Sequence, residues 1–117
     1  MLTRLLPCTL VLAMMAGCAS DPAPTEQLRL TEQVLIQARS VGASQATPEL
    51  VLAEQAFAAA VAAMKDEDYR EARLQAEKAE LDARLAEAKV LNDKSQQELT
   101  EVNRRIERLR EQLRASQ

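Results

Sequence analysis

The strongest candidate for a chemically reactive side chain is Cys18, because the residues before it form a recognisable pattern. Residues 1–4 carry one positive charge, residues 5–15 are an apolar run, and two small residues, 16–17, come directly before the cysteine. A charged start, an apolar run of about a dozen residues and small residues at the cut are typical of a secretory signal peptide. The run is shorter than the ~20 apolar residues that a membrane-spanning helix needs. We therefore expect residues 1–17 to be a cleaved signal peptide.

The segment ending at Cys18 also resembles the lipobox of bacterial lipoproteins, in which the cysteine sulfur receives a diacylglycerol and the signal is cut just before it. Met15 stands where leucine is usual. Cys8 leaves with the signal, so the mature chain has one cysteine and no internal disulfide. The alternative is an ordinary cleaved signal with Cys18 left as a free thiol, which is unusual in an oxidising compartment. The resemblance implies that residues 18–25 are a lipidated tether to a membrane.

The composition argues against catalysis. The chain has no histidine and no tryptophan, and Gly42 is its only glycine beyond the predicted signal. Zinc sites and most acid–base chemistry draw on histidine or clustered cysteine, and a phosphate-binding loop needs several glycines. Phe57 and Tyr69 are too few for an aromatic-lined pocket, and 15 basic residues against 18 acidic ones do not make a nucleic-acid-binding surface. We predict no enzyme activity, cofactor, metal, small-molecule substrate or nucleic-acid partner.

Two amphipathic helices are predicted after the tether, because apolar residues recur at intervals of three and four. The first begins near Asp21 or Thr25, either of which could cap it, and ends at Gly42, since glycine readily takes the left-handed conformation past a helix terminus. The Thr-Pro-Glu sequence at 47–49 starts the second, which runs to about Lys65. The two stripes consist of Leu28, Leu30, Thr31, Val34, Leu35, Ala38 and Val41, and of Leu50, Ala53, Phe57, Ala60, Val61 and Met64.

The third predicted helix is much longer. Asp68 followed by Glu71 matches a capping box, and neither glycine nor proline interrupts the chain from Tyr69 to about Ala115. At 1.5 Å per residue this helix is about 70 Å long, which leaves some 40 Å projecting beyond the first two. Because no glycine or proline enforces a break at 66–68, one continuous helix is the alternative.

Two stripes run along this third helix. The alanine stripe has spacings of four and three and consists of Ala72, Ala76, Ala79, Ala83 and Ala86. The heptad seam consists of Leu85, Asn92, Leu99, Ile106 and Leu113 at position a, with Leu81, Ala88, Ser95, Val102 and Leu109 at position d. Since both stripes run up to about residue 90, we expect the first two helices to sandwich this half of the helix. We predict an all-α fold, a small antiparallel helical hairpin or three-helix bundle with a long C-terminal coiled-coil-like helix. Residues 26–90 are its alanine-rich domain and residues 91–117 a heptad extension.

The far half of the heptad seam is the predicted partner-binding surface, because an unburied apolar stripe requires a second copy or another protein. Its residues are Leu99, Val102, Ile106, Leu109 and Leu113. In a parallel homodimer the flanking positions place Arg84 against Lys89 and Arg105 against Arg110, so an antiparallel or heterotypic partner is favoured. Five arginines and three glutamates lie in residues 101–114. They form either a solvated helix face or a contact with anionic envelope polymer such as peptidoglycan.

A family resemblance rests on two stretches. Residues 46–64 contain the Ala-Thr-Pro-Glu-Leu start and the alanine-rich second helix, and residues 68–83 contain Asp-Tyr-Arg-Glu-Ala followed by the alanine stripe. Together they resemble the domain of unknown function 4398 family, whose members are alanine-rich envelope lipoproteins. Some members carry an OmpA-like peptidoglycan-binding domain, whereas this chain ends in heptads. The resemblance implies location and fold more than mechanism.

These expectations combine into one functional hypothesis, a non-catalytic outer-membrane lipoprotein on the periplasmic face that acts as a helical spacer or protein-docking module. Ala19 follows the lipidated cysteine, and the absence of aspartate there implies, by resemblance, sorting to the outer membrane. The alternative is an accessory subunit of an envelope transport or assembly complex. A murein-linked lipoprotein is disfavoured, because the terminal lysine of that class is missing after Arg114.

Overall fold

Three α-helices make up residues 21–117, the part of the chain that the computed structural model describes. They are α1, Thr25–Ser40; α2, Pro48–Lys65; and α3, Tyr69–Ala115. No strand occurs in this part of the chain. The predicted signal peptide and Cys18 lie outside the described residues. The prediction of an all-α fold with a long C-terminal helix is confirmed.

The chain runs up, down and up again. The start of α1 lies beside the start of α3, where Arg73 Nη2 donates to the Pro22 carbonyl at 3.1 Å. The end of α1 lies further along α3, where Lys94 Nζ donates to the Val41 carbonyl at 2.5 Å. Glu49 at the start of α2 pairs with Lys89 of α3. Consequently α1 is parallel to α3 and α2 is antiparallel to both, and α3 alone continues past the bundle.

The core between the helices is built mainly of alanine. All five residues of the alanine stripe on α3 are fully buried. Two of them, Ala83 and Ala86, form one cluster with Leu35 and Ala38 of α1 and with Leu50 and Ala53 of α2. Because an alanine side chain ends at Cβ, the helix backbones can approach closely. One sequence expectation fails here, since Leu30 is 41% exposed and does not widen the stripe of α1.

Both helix-to-helix junctions are Schellman motifs. After α1, the Ala43 amide donates to the Ala38 carbonyl and the Gly42 amide to the Arg39 carbonyl, each at 3.0 Å, with Gly42 at φ 110°. After α2, the Asp68 amide donates to the Ala63 carbonyl at 2.9 Å, with Glu67 at φ 60°. A left-handed residue at this position satisfies the last helical carbonyls. The break that separates α2 from α3 therefore forms with a glutamate in the place usually held by glycine.

The helix starts agree only partly with the predicted caps. Asp68 accepts the Glu71 amide at 3.1 Å, as expected for one half of a capping box. The other half is missing, because the Asp68 amide is already bonded to Ala63. Thr47 is the N-cap of α2, but its Oγ1 accepts the Ser44 amide at 3.2 Å instead of a helix amide. The N-cap of α1 is Pro24, so the predicted cap by Asp21 or Thr25 is wrong.

Candidate docking surface

The most prominent exposed apolar feature of residues 21–117 is the heptad seam of α3. Eight of its large side chains have exposed fractions between 40% and 68%. They are Leu74, Leu81, Leu85, Leu99, Val102, Ile106, Leu109 and Leu113. Leu74 is a d position one heptad before Leu81, and sequence analysis missed it. Extending the seven-residue count backwards would have found it.

The seam faces away from the bundle along its whole length. We expected the first two helices to cover its N-terminal half, and this is wrong, because Leu81 is 68% and Leu85 47% exposed. Leu81 is two residues from both Ala79 and Ala83, which at 100° per residue places it about 200° around the helix from each. The alanine stripe takes the inward face of α3 and the heptad seam the outward face.

The bundle ends close to residue 94. The Lys94 ammonium caps the C-terminal end of α1, where a cation is favoured by the exposed carbonyls and the helix dipole. Beyond it, all side chains of residues 95–117 are exposed except Glu101, which is half-buried. We call residues 95–115 the arm. It is about 30 Å long, shorter than the 40 Å expected, because α1 accompanies α3 as far as Lys94.

Most of the positive charge on the arm is bound within the helix. Glu101 accepts from Arg105 at 3.1 Å and from Arg108 at 3.3 Å, and Glu107 accepts from Arg110 at 2.8 Å. The Arg105 hydrogen bond is the main cause that lowers the pKa of Glu101. Exposed pairs of this kind add little to the stability of a helix, because solvent and salt screen them. The run of arginines is therefore mainly a solvated, internally paired face.

The flanks of the bundle carry further ion pairs. Arg39 at the end of α1 donates to Glu54 of α2 at 2.8 Å, and Gln45 donates to the same carboxylate at 2.8 Å. Glu80 of α3 accepts from Arg84 at 2.7 Å and from Gln27 of α1 at 2.8 Å. These donors lower the pKa of Glu54, with Arg39 as the main cause, and of Glu80, with Arg84 as the main cause.

The other features of residues 21–117 are less prominent than the heptad seam. No group of three or more metal-ligating side chains occurs there, and none of the three helices combines the length and apolarity needed to cross a membrane. The recess lined by Thr100, Arg104, Glu107 and Glu111 is a shallow surface of one helix. Phe57 packs half-buried against the alanine core, and Tyr69 is half-buried at the start of α3. The heptad seam is the feature that calls for a functional explanation.

Comparison with known proteins gives two findings. The profile of a family described as a domain of unknown function (DUF4398) matches residues 26–102. A solved crystal structure of a DUF4398 family protein from Pseudomonas aeruginosa PAO1 is 55% identical in sequence, with a TM-score of 0.80. The match covers 82% of this chain and 100% of that one. No curated protein matches the chain.

Proposed function

This chain belongs to the DUF4398 family, and from that premise we propose that it is a non-catalytic lipoprotein of the bacterial envelope whose long helix is a protein-docking module. The family is uncharacterised, so the proposal rests on the chain's own features. Lipid on Cys18 attaches it to the outer membrane on the periplasmic face. The heptad seam binds the protein partner.

The single observation that carries the docking role is the separation of the two stripes of α3. The alanine stripe is buried against α1 and α2, and the heptad seam shares no residue with that stripe. A helix whose second apolar face stays exposed over about 40 residues is stabilised when another helix covers that face. Solubility alone would favour polar residues at these positions.

The spacer role follows from the stiffness of α3. Its 47 residues form one helix without an internal break. About 30 Å of that helix extends beyond the last contact with α1. A continuous helix holds the distal seam at a set distance from the bundle, which a flexible linker does not.

Photo-cross-linking in cells tests the docking role. A photoreactive residue at Val102 or Ile106 should capture a defined protein, and removal of residues 95–117 should abolish that interaction without unfolding the bundle. Leu52 on α2 is the matched control, because it is 50% exposed but lies outside the seam. Capture from Leu52 together with none from Val102 or Ile106 would place the docking surface on the bundle and refute the proposal.

A further inference from the structure

We propose that the protein covering the heptad seam is a second copy of this chain, paired antiparallel along α3. The arm of each copy then lies on the outer face of the other copy's bundle. This inference rests on the proposed docking function and names its partner. It is carried by the symmetry of the seam and by its charges.

The seam has a polar centre with apolar residues on both sides. Asn92 and Ser95 form that centre, and one antiparallel register of two α3 helices places them opposite each other. In this register the layers continue outward in both directions, and each occurs twice about the twofold axis. The apolar layers pair Leu99 with Ala88, Val102 with Leu85, Ile106 with Leu81 and Leu113 with Leu74. Leu109 faces Lys78, whose aliphatic stem can cover it.

The charges beside the seam disfavour a parallel pair. In a parallel dimer the edge positions that face each other are five residues apart. These edge contacts would pair Glu77 with Asp82, Arg84 with Lys89 and Arg105 with Arg110. Inside the seam, the Lys78 side chains of the two copies would face each other. Each of these contacts joins like charges, and each occurs twice except the last.

The antiparallel pair retains one type of like-charge contact, between Arg84 and Arg105. Arg84 and Arg105 each have an acidic partner in their own helix, Glu80 at 2.7 Å and Glu101 at 3.1 Å, and Lys89 and Arg110 are likewise paired with Glu49 and Glu107. The two orientations therefore differ mainly in the contacts of Glu77 with Asp82 and of Lys78 with Lys78, which only the parallel pair makes. Of the five other charged edge positions, Glu98 faces Leu91 and four face neutral amides. These pairs are Glu77 with Gln112, Asp82 with Asn103, Lys89 with Gln96 and Arg110 with Gln75.

The overall charge distribution also favours the antiparallel orientation. Residues 21–95 carry 9 basic and 14 acidic side chains, whereas residues 96–117 carry 5 basic and 4 acidic. An antiparallel pair places the slightly positive arm beside the negative bundle of the other copy. A parallel pair would place the two negative bundles side by side, which opposes association at low ionic strength.

The seam is large enough for a stable interface. At about 100 Å² of exposed apolar surface per side chain, the eight exposed residues of both copies approach the ~1,600 Å² typical of specific protein pairs. The bundle does not obstruct the approach, because α1 and α2 lie on the opposite, alanine face of α3. The two tethers then lie at opposite ends of the pair, so both lipids reach one membrane when the pair lies along its surface.

Cysteine cross-linking distinguishes the two orientations. The mature chain with Cys18→Ser contains no other cysteine, so each introduced thiol gives an unambiguous result. Mixed Leu81→Cys and Ile106→Cys copies should form a disulfide between residues 81 and 106 under mild oxidation, identified by mass spectrometry. Each variant alone should remain largely unlinked. Disulfides that join identical positions, 81 to 81 or 106 to 106, would indicate a parallel pair and overturn the proposal.

Analytical ultracentrifugation provides the second test. The mature Cys18→Ser chain should sediment as a dimer, and Leu99→Glu should weaken the dimer at least about tenfold, because the pair would bury an unpartnered carboxylate. Leu52→Glu should leave the dimer unchanged, since Leu52 is also well exposed, 50% against 58% for Leu99, but lies on α2. A monomer at about 100 µM, where even a weak specific dimer is populated, overturns the proposal. If Val102 in such a case still captures a different protein in cells, the docking function stands and only the identity of its partner changes.

Discussion

The hydroxyl oxygen of Thr31 lies 3.1 Å from the carbonyl oxygen of Ala76, so a side chain of α1 reaches the backbone of α3 directly. The same hydroxyl is 2.8 Å from the Gln27 carbonyl of its own helix. Both Thr31 and Ala76 are fully buried. A contact of this kind requires that α3 present nothing larger than a methyl group on this face. Close backbone approach, rather than large apolar side chains, holds the bundle together.

Enlarging the alanine stripe should therefore destabilise the bundle. Ala83→Leu inserts three carbons into a fully buried position, and overpacking of this kind costs about 1–3 kcal/mol. Thermal unfolding followed by circular dichroism should show a lower midpoint. Ala59→Leu on α2 is the control, because Ala59 is exposed and its midpoint should change little. Equal midpoints for Ala83→Leu and the unmodified chain would show that the stripe is not closely packed.

Replacing glycine in one Schellman motif and introducing it in the other should change the stability of the bundle in opposite directions. Gly42→Ala places a side chain at φ 110°, which should cost about 1–2 kcal/mol. A steric clash is not the cause of this destabilisation, because the new Cβ would lie 3.5 Å from the nearest atom, Lys94 Nζ. Glu67→Gly relieves the left-handed strain at φ 60° and should stabilise the bundle by up to about 1 kcal/mol. Urea unfolding measures both, and stabilisation by Gly42→Ala would contradict the assigned backbone.

Acid should weaken the junction between α1 and α2 through Glu54. The hydrogen bond from Arg39 holds the pKa of Glu54 below its ordinary value of 4.5. A carboxylate whose pKa is lowered on folding stabilises the fold above that ordinary value, and the stabilisation disappears as the pH falls through the folded-state pKa. The unmodified chain should melt higher than Glu54→Gln at about pH 7, and the difference should shrink as the pH falls below 4.5. Glu32→Gln, at an exposed site outside the ion pairs, should show no such pH-dependent difference.

The proposed lipid anchor gives a prediction about location. Cys18→Ser should abolish membrane attachment, because acyl chains contribute about 0.8 kcal/mol per buried methylene. Cell fractionation followed by a salt wash measures the outcome. Cys8→Ser is the matched control, since Cys8 lies in the predicted signal and its loss should leave the mature protein attached. Retention of the Cys18→Ser protein in the washed membranes would exclude lipid as the anchor.

Local features of the chain were predictable because neighbouring residues determine them. The capping hydrogen bond of Asp68, the left-handed Gly42 and Pro48 at the first position of α2 each act within about one helical turn. The spacing of the alanines and of the heptads is likewise a property of a single helix. The missing half of the capping box was not predictable, because the Asp68 amide is used by Ala63 of the preceding helix.

The sequence by itself determined that α3 has two apolar stripes, and only the tertiary structure decided which of them is buried. Hydrophobicity alone would favour burying the leucines Leu81 and Leu85, yet they face solvent. The alanine face is the buried one because it allows two helices to approach α3 closely and lets Thr31 reach the carbonyl of Ala76. Leucines on that face would hold the backbones too far apart for this contact. The leucines are therefore left on the outside, where a second helix can cover them.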